Sequence, residues 1–383
     1  MKLYLVKYGE ITLKGKNRRY FENKLLSNIR SRIEPFGAEL DFYQGRIFVR
    51  SDDERIIQVL QDTIGLVEIC PAEQLPLDMD ALREAAAKRM MELSGGQNMT
   101  FKVETRRSNK GFALDSPAIN RDIGGFILQH VPNVSVNVHD PDIRIEIEIR
   151  EQIYLYAGTY PAVRGIPYGT AGKSVVLMSG GIDSPVAAFN MARRGVEIVP
   201  LHFHAMPFTS EMALDKVRKL VRRLTDYTDW LYFYHINLSQ AQIEMRETCD
   251  ERYFTILQRR LMTRLATKLA EERHALSLTT GENLAQVASQ TMEGIYCTNA
   301  ATHLPVFRPL ISLDKDDIVK QAKQIETFET SILPFEDCCT IFLPSQVATR
   351  PRLEDVLKEE AKLDMDRLVE ETWQTLVREK IEA

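Results

Sequence analysis

Cysteine is scarce in this chain, with five in 383 residues, and no two stand in a CxxC pair. That pattern excludes a disulfide framework and offers no zinc-ribbon or iron–sulfur ligand set. Any chemistry done by a cysteine is therefore thiol chemistry in a reducing compartment. Also missing is a run of roughly 18 apolar residues, the length of a membrane span. The opening Met1-Lys2-Leu3-Tyr4-Leu5-Val6-Lys7 is broken by charge too early for a signal peptide. These absences predict a cytoplasmic protein with no membrane partner. Apolar residues are not lacking: 44% hydrophobic and 27% charged residues form an ordinary globular mixture, which excludes disordered, collagen-like and coiled-coil chains. At roughly 100–200 residues per domain, the length predicts two or three domains.

The formal charge of -5 argues against nucleic acid until its distribution is read. Residues 1–50 hold eleven Lys or Arg against five Asp or Glu, whereas residues 351–383 hold six against ten. The basic residues gather at Lys14, Lys16, Arg18, Arg19, Lys24, Arg30 and Arg32, and again at Lys102, Arg106, Arg107 and Lys110. Tyr20, Phe21, Phe101 and Phe112 are interleaved among them. Neutralised phosphates carry most nucleic-acid affinity, so this pattern points to a phosphate-backbone surface, with a merely solvated helix face as the alternative.

Along the chain the first 160 residues alternate strand and helix patterns without settling into a βαβ rhythm, an α+β arrangement. Strands are predicted at Lys2 to Tyr8, Ala38 to Tyr43, Arg46 to Val49, Thr100 to Thr105, Val134 to Val138, Ile143 to Ile149 and Ile153 to Gly158. Helices are predicted at Asn17 to Ile33, Asp53 to Asp62, Met79 to Leu93 and Ser116 to His130. Pro71 and Pro76 mark a domain boundary, and the Gly- and Pro-rich stretch Tyr160 to Lys173 marks a linker. From Ser174 apolar strand-like runs (Val175 to Met178, Glu197 to His202, Trp230 to Tyr234, Ala275 to Thr279) alternate with helical stretches. This is the signature of a doubly wound parallel sheet, an α/β domain. The last 30 residues read as a charged amphipathic helix.

The strongest motif is Ser179-Gly180-Gly181-Ile182-Asp183-Ser184-Pro185, placed between the Val175 to Met178 strand and a helix from Val186 to Arg194. The glycines let backbone N–H groups approach an anion, Ser179 and Ser184 bring hydroxyls, and the helix aims its positive end at the same point. Pro185 suits a first helical turn. Gly172-Lys173-Ser174 imitates the end of a Walker A loop but precedes its strand and lacks the earlier glycine, so it is linker.

SGGxDS is the pyrophosphate loop (PP-loop) of ATP pyrophosphatases. Together with Val199-Pro200-Leu201-His202-Phe203-His204, Gln258-Arg259-Arg260-Leu261-Met262, the segment Thr280 to Gln290, and Arg308-Pro309-Leu310-Ile311-Ser312-Leu313-Asp314-Lys315, it makes the whole chain resemble the tRNA 4-thiouridine synthase family, ThiI. The resemblance implies an N-terminal ferredoxin-like domain at 1–75, a THUMP RNA-binding domain at 76–165 and an ATP pyrophosphatase domain at 172–383. It implies ATP and Mg²⁺ as cofactors, with no built-in metal site. Asp183 matches the loop's catalytic aspartate. Leu177, Met178, Ser179, Gly180, Gly181, Ser184, His202, Phe203, Arg259, Gly281 and Gln290 match the nucleotide contacts, Gln290 being expected on the helix after Gly281. Lys315, at the start of a predicted helix, is placed to offset charge on pyrophosphate. With tRNA as the implied partner, Lys14, Lys16, Arg18, Arg19, Arg106, Arg107 and Lys110 of the basic clusters are the residues expected to contact it.

Cys338 and Cys339 lie in a turn-rich segment and are expected as free thiols, because bonding between neighbouring cysteines strains the peptide. Comparison with the family's Glu-Tyr-Cys pattern sets Glu336-Asp337-Cys338 against it and places the persulfide on Cys338, with Cys339 as competitor. Cys70, Cys249 and Cys297 read as packing residues. Some relatives continue into a rhodanese domain, whereas this sequence runs about forty residues past Cys339. Direct delivery of sulfur from a cysteine desulfurase is therefore expected. The implied reaction is adenylation of C4 of uridine 8 in tRNA followed by sulfur transfer, in a homodimer. The family also supplies sulfur for the thiazole of thiamine, and whether this chain does so stays open. An amidotransferase or argininosuccinate-type ligase would share the loop without needing residues 1–165 or the cysteine pair. An iron–sulfur thiolase would need clustered cysteines, and a non-catalytic RNA-binding module would not need an intact loop.

Overall fold

Residues 1–43, 45–287, 290–335 and 347–382 are described by the computed structural model. They form two units, Met1–Gly165 and the chain from Ile166 onward.

The first unit contains β1 (Lys2–Tyr8), α1 (Arg18–Ile33), β2 (Glu39–Tyr43), β3 (Arg46–Ser51), α2 (Ile56–Gln61), β4 (Leu66–Leu75), α3 (Met79–Ser94), β5 (Met99–Arg107), α4 (Ser116–His130), β6 (Val134–Val136), β7 (Ile143–Ile149), β8 (Ile153–Ala157) and β9 (Tyr160–Pro161). Its strands form one sheet in the order β2-β3-β1-β4-β8-β7-β5-β6, with β9 on β4. Helices α1 and α2 bury Leu25, Ile29, Ile33 and Leu60 against β1 and β3. Helices α3 and α4 bury Leu82, Met90, Ile119 and Ile123 against β5, β7 and β8. Asp78 and Asp115 cap these two helices by accepting the N–H of Ala81 and Ala118.

At Pro71 the boundary expected from the sequence is a continuous strand. β4 pairs with β1 over Leu66 to Ala72 and then with β8 over Ala72 to Leu75. On the side facing β8 and β9, Glu68 and Ile69 pair with β9, so Pro71 falls between two partners, where a missing N–H is tolerated.

The second unit contains β10 (Lys173–Met178), α5 (Asp183–Arg193), β11 (Glu197–His204), α6 (Glu211–Thr228), β12 (Trp230–Asn237), α7 (Ser239–Thr248), α8 (Phe254–Glu272), β13 (Ser277–Thr279), α9 (Met292–Asn299), β14 (Val306–Phe307), α10 (Lys315–Gln324), α11 (Phe328–Ser331), α12 (Leu353–Glu360), α13 (Met365–Trp373) and β15 (Val377–Glu382). The sheet order is β14-β13-β10-β11-β12-β15. The strands from β14 to β12 are parallel, and their apolar runs are buried on both faces, in line with the sequence pattern. After β10 the chain winds outward through β11 and β12, then returns to the other side of β10 with β13. The switch in direction opens a crevice at the carboxyl ends of β10 and β13.

The carboxyl terminus departs from expectation. In place of one amphipathic helix it forms α12, α13 and the strand β15, antiparallel to β12. Asp364 restarts the chain as an N-cap, accepting the N–H of Arg367. The open edge of β12 then pairs with Val377 to Glu382, where Arg378 lies over Tyr232 and Lys380 over Trp230. Tertiary pairing overrides helix propensity here. Among the described residues no helix is long and apolar enough to cross a membrane.

Candidate functional site

The turn after β10 is held by its own serines. Ser184 Oγ accepts the Ser179 N–H at 2.8 Å and donates to the Ser179 carbonyl at 3.1 Å. Ser179 Oγ accepts the Gly181 N–H at 3.2 Å. The hydroxyls thus brace the loop, where the sequence suggested they would point at an anion. Helix α5 begins at Asp183, three residues before its expected start, so Asp183 and Ser184 sit in the first turn, at the positive end of the helix dipole.

Asp183 is the meeting point of three segments. Its Oδ1 accepts from Lys315 Nζ at 2.6 Å, and its Oδ2 from Gln286 Nε2 at 2.9 Å. Lys315 opens α10, as expected, and Gln286 is a partner to which the sequence pattern gave no role. Behind them Gly281 is packed onto the first turn of α5. A Cβ built at Gly281 would lie 2.8 Å from the Ser184 nitrogen and 3.0 Å from the carbonyl carbon of Asp183. Only glycine lets the turn after β13 approach the phosphate loop this closely.

Between these turns lies a cavity of about 300 Å³. Leu177, Met178, Ser179, Asp183, Ser184, His202, Phe203, Arg259, Gly281 and Gln290 all line it, so the structure brings the residues picked from four separate segments to one place. Its apolar wall is completed by Met262, Leu278 and Val306. His202 Nδ1 is 2.9 Å from the Met178 carbonyl, which fixes the ring at the end of β11. Gln290 is not on a helix: α9 begins two residues later, with Thr291 as its N-cap, accepting the N–H of Gly294. Among the described residues the buried Gln290 Oε1 has no hydrogen-bond partner, an acceptor suited to a ligand N–H. Glu282 and Arg308 also line the cavity. The signal that would have found them is a charged residue within three positions of the end of each of two parallel strands, the ligand end of such a sheet.

The cysteine pair, Cys338 and Cys339, lies outside the described residues. The segment before it is fastened at two points: Ser331 Oγ donates to the Gly181 carbonyl at 3.3 Å, and the buried Lys216 donates to the Leu333 carbonyl at 2.8 Å. The other cysteines are free thiols, Cys70 and Cys297 buried and Cys249 partly so. Burial pushes the Cys70 thiol up to about 12 and Cys249 up to about 11, which makes both poor nucleophiles.

In the first unit Lys16, Arg19, Arg106 and Lys110 are exposed. Lys14 lies over the Phe21 ring at 4.9 Å. Two expected RNA contacts have structural work: Arg18 binds Glu22 at 2.8 Å and the Tyr8 hydroxyl at 3.2 Å, and Arg107 donates to the carbonyls of Phe112 and Leu114 at 2.9 and 2.6 Å. The sequence pattern did not reveal Arg46 and Arg150, which converge on the buried Glu148 at 2.7 and 2.9 Å. Burial opposes ionisation of Glu148, but the hydrogen bond and charge of Arg46 and then Arg150 outweigh it and hold the carboxyl below its usual range. Asn109, beside Lys110, bonds the Arg150 carbonyl at 3.0 Å, so the loop carrying Lys110 adjoins this cluster.

Known families share this arrangement. The family model described as "Thiamine biosynthesis protein (ThiI)" matches residues 169–365, "ThiI ferredoxin-like domain" matches 3–70, and "THUMP domain" matches 77–157. A protein of Thermoanaerobacter sp. (strain X514) named "Probable tRNA sulfurtransferase" is 43% identical, with 96% of this chain and 97% of that protein covered. One of the same name from Alkaliphilus metalliredigens is 45% identical over 96% of this chain and 95% of its own. Among solved structures, a 4-thiouridine synthetase–RNA complex with bound ATP superposes with a TM-score of 0.92 at 36% identity, covering 100% of both chains. PH1313 from Pyrococcus horikoshii shares the fold, with a TM-score of 0.63 and 24% identity over 85% of this chain and 100% of that one.

Proposed function

The chain belongs to the ThiI family of tRNA sulfurtransferases, and from that premise we propose that it uses ATP to activate C4 of uridine 8 in tRNA and replaces the oxygen with sulfur. The observation that carries this reading is the Asp183–Lys315 pair at the mouth of a phosphate loop that opens into the cavity. Phosphate needs N–H donors and positive charge. The first turn of α5 and Lys315 supply these on one side, while Leu177, Phe203 and the buried Gln290 Oε1 suit an adenine base on the other. The solved relative holds ATP, which supports the same occupant here.

The donor set around the loop also fits Mg²⁺. Asp183 is the carboxylate on the phosphate side, and Mg²⁺ is commonly held by one or two carboxylates with the phosphates and water. When bound it would neutralise phosphate charge. The chain's own groups then act as follows. The cavity holds ATP with its α-phosphate toward the acceptor base. Lys315 and the N-terminus of α5 stabilise charge on departing pyrophosphate as the uracil oxygen at C4 takes the adenylyl group. The terminal sulfur of a persulfide on Cys338 attacks C4 and AMP leaves. A second thiol, from Cys339, another cysteine or an external reductant, takes up the Cys338 sulfur as a disulfide and frees 4-thiouridine.

Residues 1–75 and 76–165 we assign to tRNA as ferredoxin-like and THUMP domains, and 172–383 to catalysis. The acceptor base leaves its stack to reach the cavity, and the exposed Lys16, Arg19, Arg106 and Lys110 take phosphates. Sulfur arrives from a cysteine desulfurase, and the chain works as a homodimer. The description of the matched family supports a second outlet of the same sulfur toward thiamine. The test of the reaction class is tRNA-dependent exchange of labelled pyrophosphate into ATP. Exchange without tRNA, or none with it, would contradict activation of an RNA base.

A further inference from the structure

One carboxylate in the cavity wall serves two guanidiniums. Gly281, seated on the first turn of α5, fixes the position of Glu282, which is 8% exposed. Glu282 Oε1 accepts from Arg259 Nη1 at 2.9 Å. Its Oε2 accepts from Arg308 Nε at 2.7 Å and from Thr280 Oγ1 at 3.0 Å. Arg259 comes from α8 and Arg308 from the end of β14, and all three charged groups line the cavity. The side chains of Arg308 and Glu282 are only 12% and 10% exposed.

Glu282 thereby holds the Arg308 guanidinium in a largely buried part of the wall, where an unpaired charge is costly. Arg308 Nε is committed to Glu282, while among the described residues its Nη1 has only long contacts, 3.4 Å to Asn299 Oδ1 and 3.4 Å to the Val306 carbonyl. The outer edge of the guanidinium therefore has donor capacity to spare, in the fork geometry that matches phosphate oxygens.

We propose that Arg308 is a further phosphate-binding residue of the nucleotide cavity, and that Glu282 is a positioning residue that sets the angle of its guanidinium. The proposal rests on the nucleotide reading above and adds a second cationic contact on the β14 side of the phosphate loop. It is tested by titrating the full chain with ATP, AMP and adenosine in the absence of RNA. Arg308→Met is expected to weaken ATP and AMP at least tenfold while leaving adenosine within about twofold. Arg308→Lys, which keeps the charge and removes the fork, is expected to weaken ATP at least threefold and carries the test if the methionine variant melts early. In a Glu282→Gln background the cost of Arg308→Met should shrink below threefold, because an unheld guanidinium contributes little to begin with. Unchanged ATP affinity in both arginine variants, or equal weakening of ATP and adenosine, would overturn the phosphate contact. An undiminished cost in the Glu282→Gln background would overturn the positioning role. Failure of the wild-type chain to bind ATP would sink the nucleotide reading itself.

Discussion

Lys315 Nζ lies 2.6 Å from Asp183 Oδ1, across 132 residues of sequence. The pair joins the first turn of α5 to the first turn of α10, and so brings an ammonium beside the phosphate loop. The Lys315 side chain is 44% exposed and that of Asp183 21%, so the pair adds little to stability and its worth lies in placing charge. Lys315→Met should therefore lower kcat for tRNA-dependent AMP formation by about 10²-fold or more, with the melting temperature nearly unchanged. A matching drop in melting temperature and activity would assign Lys315 to structure instead.

The thiol steps separate from the phosphate steps. Cys338→Ser should leave AMP formation dependent on tRNA intact and abolish 4-thiouridine. With Cys339 as the second thiol, Cys339→Ser should release AMP once and keep the thiolated base joined to Cys338 as a mixed disulfide until a reductant is added. Nucleoside mass spectrometry against AMP release reads both. Full thiolation by Cys338→Ser, with none by Cys339→Ser, would move the persulfide by one residue.

The exposed cations of the first unit make a salt-dependent prediction. Reversing Lys16, Arg19, Arg106 and Lys110 to glutamate should weaken tRNA binding by orders of magnitude at moderate salt. It should also flatten the dependence of affinity on salt, by about one unit of slope for each phosphate that is no longer neutralised. ATP affinity without RNA should not move. An unchanged salt slope would mean that tRNA docks elsewhere.

His204 gives a pH dependence of stability. Its ring is buried, and burial first, then the charges of His202, His235 and Arg218, push the imidazole down from 6.5 to about 4. The unfolded chain thus binds a proton between those values that the folded chain refuses, and stability falls as pH is lowered through 6.5 toward 4. Between pH 7 and 5 the decrease is about 2 kcal/mol. The His235 ring, 3.2 Å away and in contact with Glu379 at 3.1 Å, is also lowered, burial being the largest cause, and it adds in the same direction. Thermal melts over this range should show the decline, and His204→Gln should flatten it. A wild-type melting temperature level from pH 7 to 5 would rule this out.

Local pattern made much of the fold legible. β1, α4 and β7 occupy Lys2–Tyr8, Ser116–His130 and Ile143–Ile149, the spans expected from the sequence. The phosphate loop was visible because its glycines, serines and aspartate are contiguous. What pattern missed depends on tertiary partners. β15 is a strand because β12 offers an open edge, and nothing within Val377 to Glu382 announces that edge. Gln290 lies ahead of α9 because Thr291, and not an earlier residue, caps the helix. Gln286, Glu282 and Arg308 acquire meaning only when β13 and β14 deliver them beside a loop encoded a hundred residues earlier. The same distance hides Glu148, whose two arginine partners come from β3 and from the turn after β7.

The most direct measurement is 4-thiouridine in digested tRNA by mass spectrometry, after incubating purified protein with ATP, Mg²⁺, unmodified tRNA and a sulfide donor, beside Asp183→Ala. The expected result is product with the wild-type chain alone, at position 8, with AMP released in step. Neither product nor tRNA-dependent AMP from the wild-type chain, or equal product from Asp183→Ala, would contradict the assignment of this cavity to uridine activation.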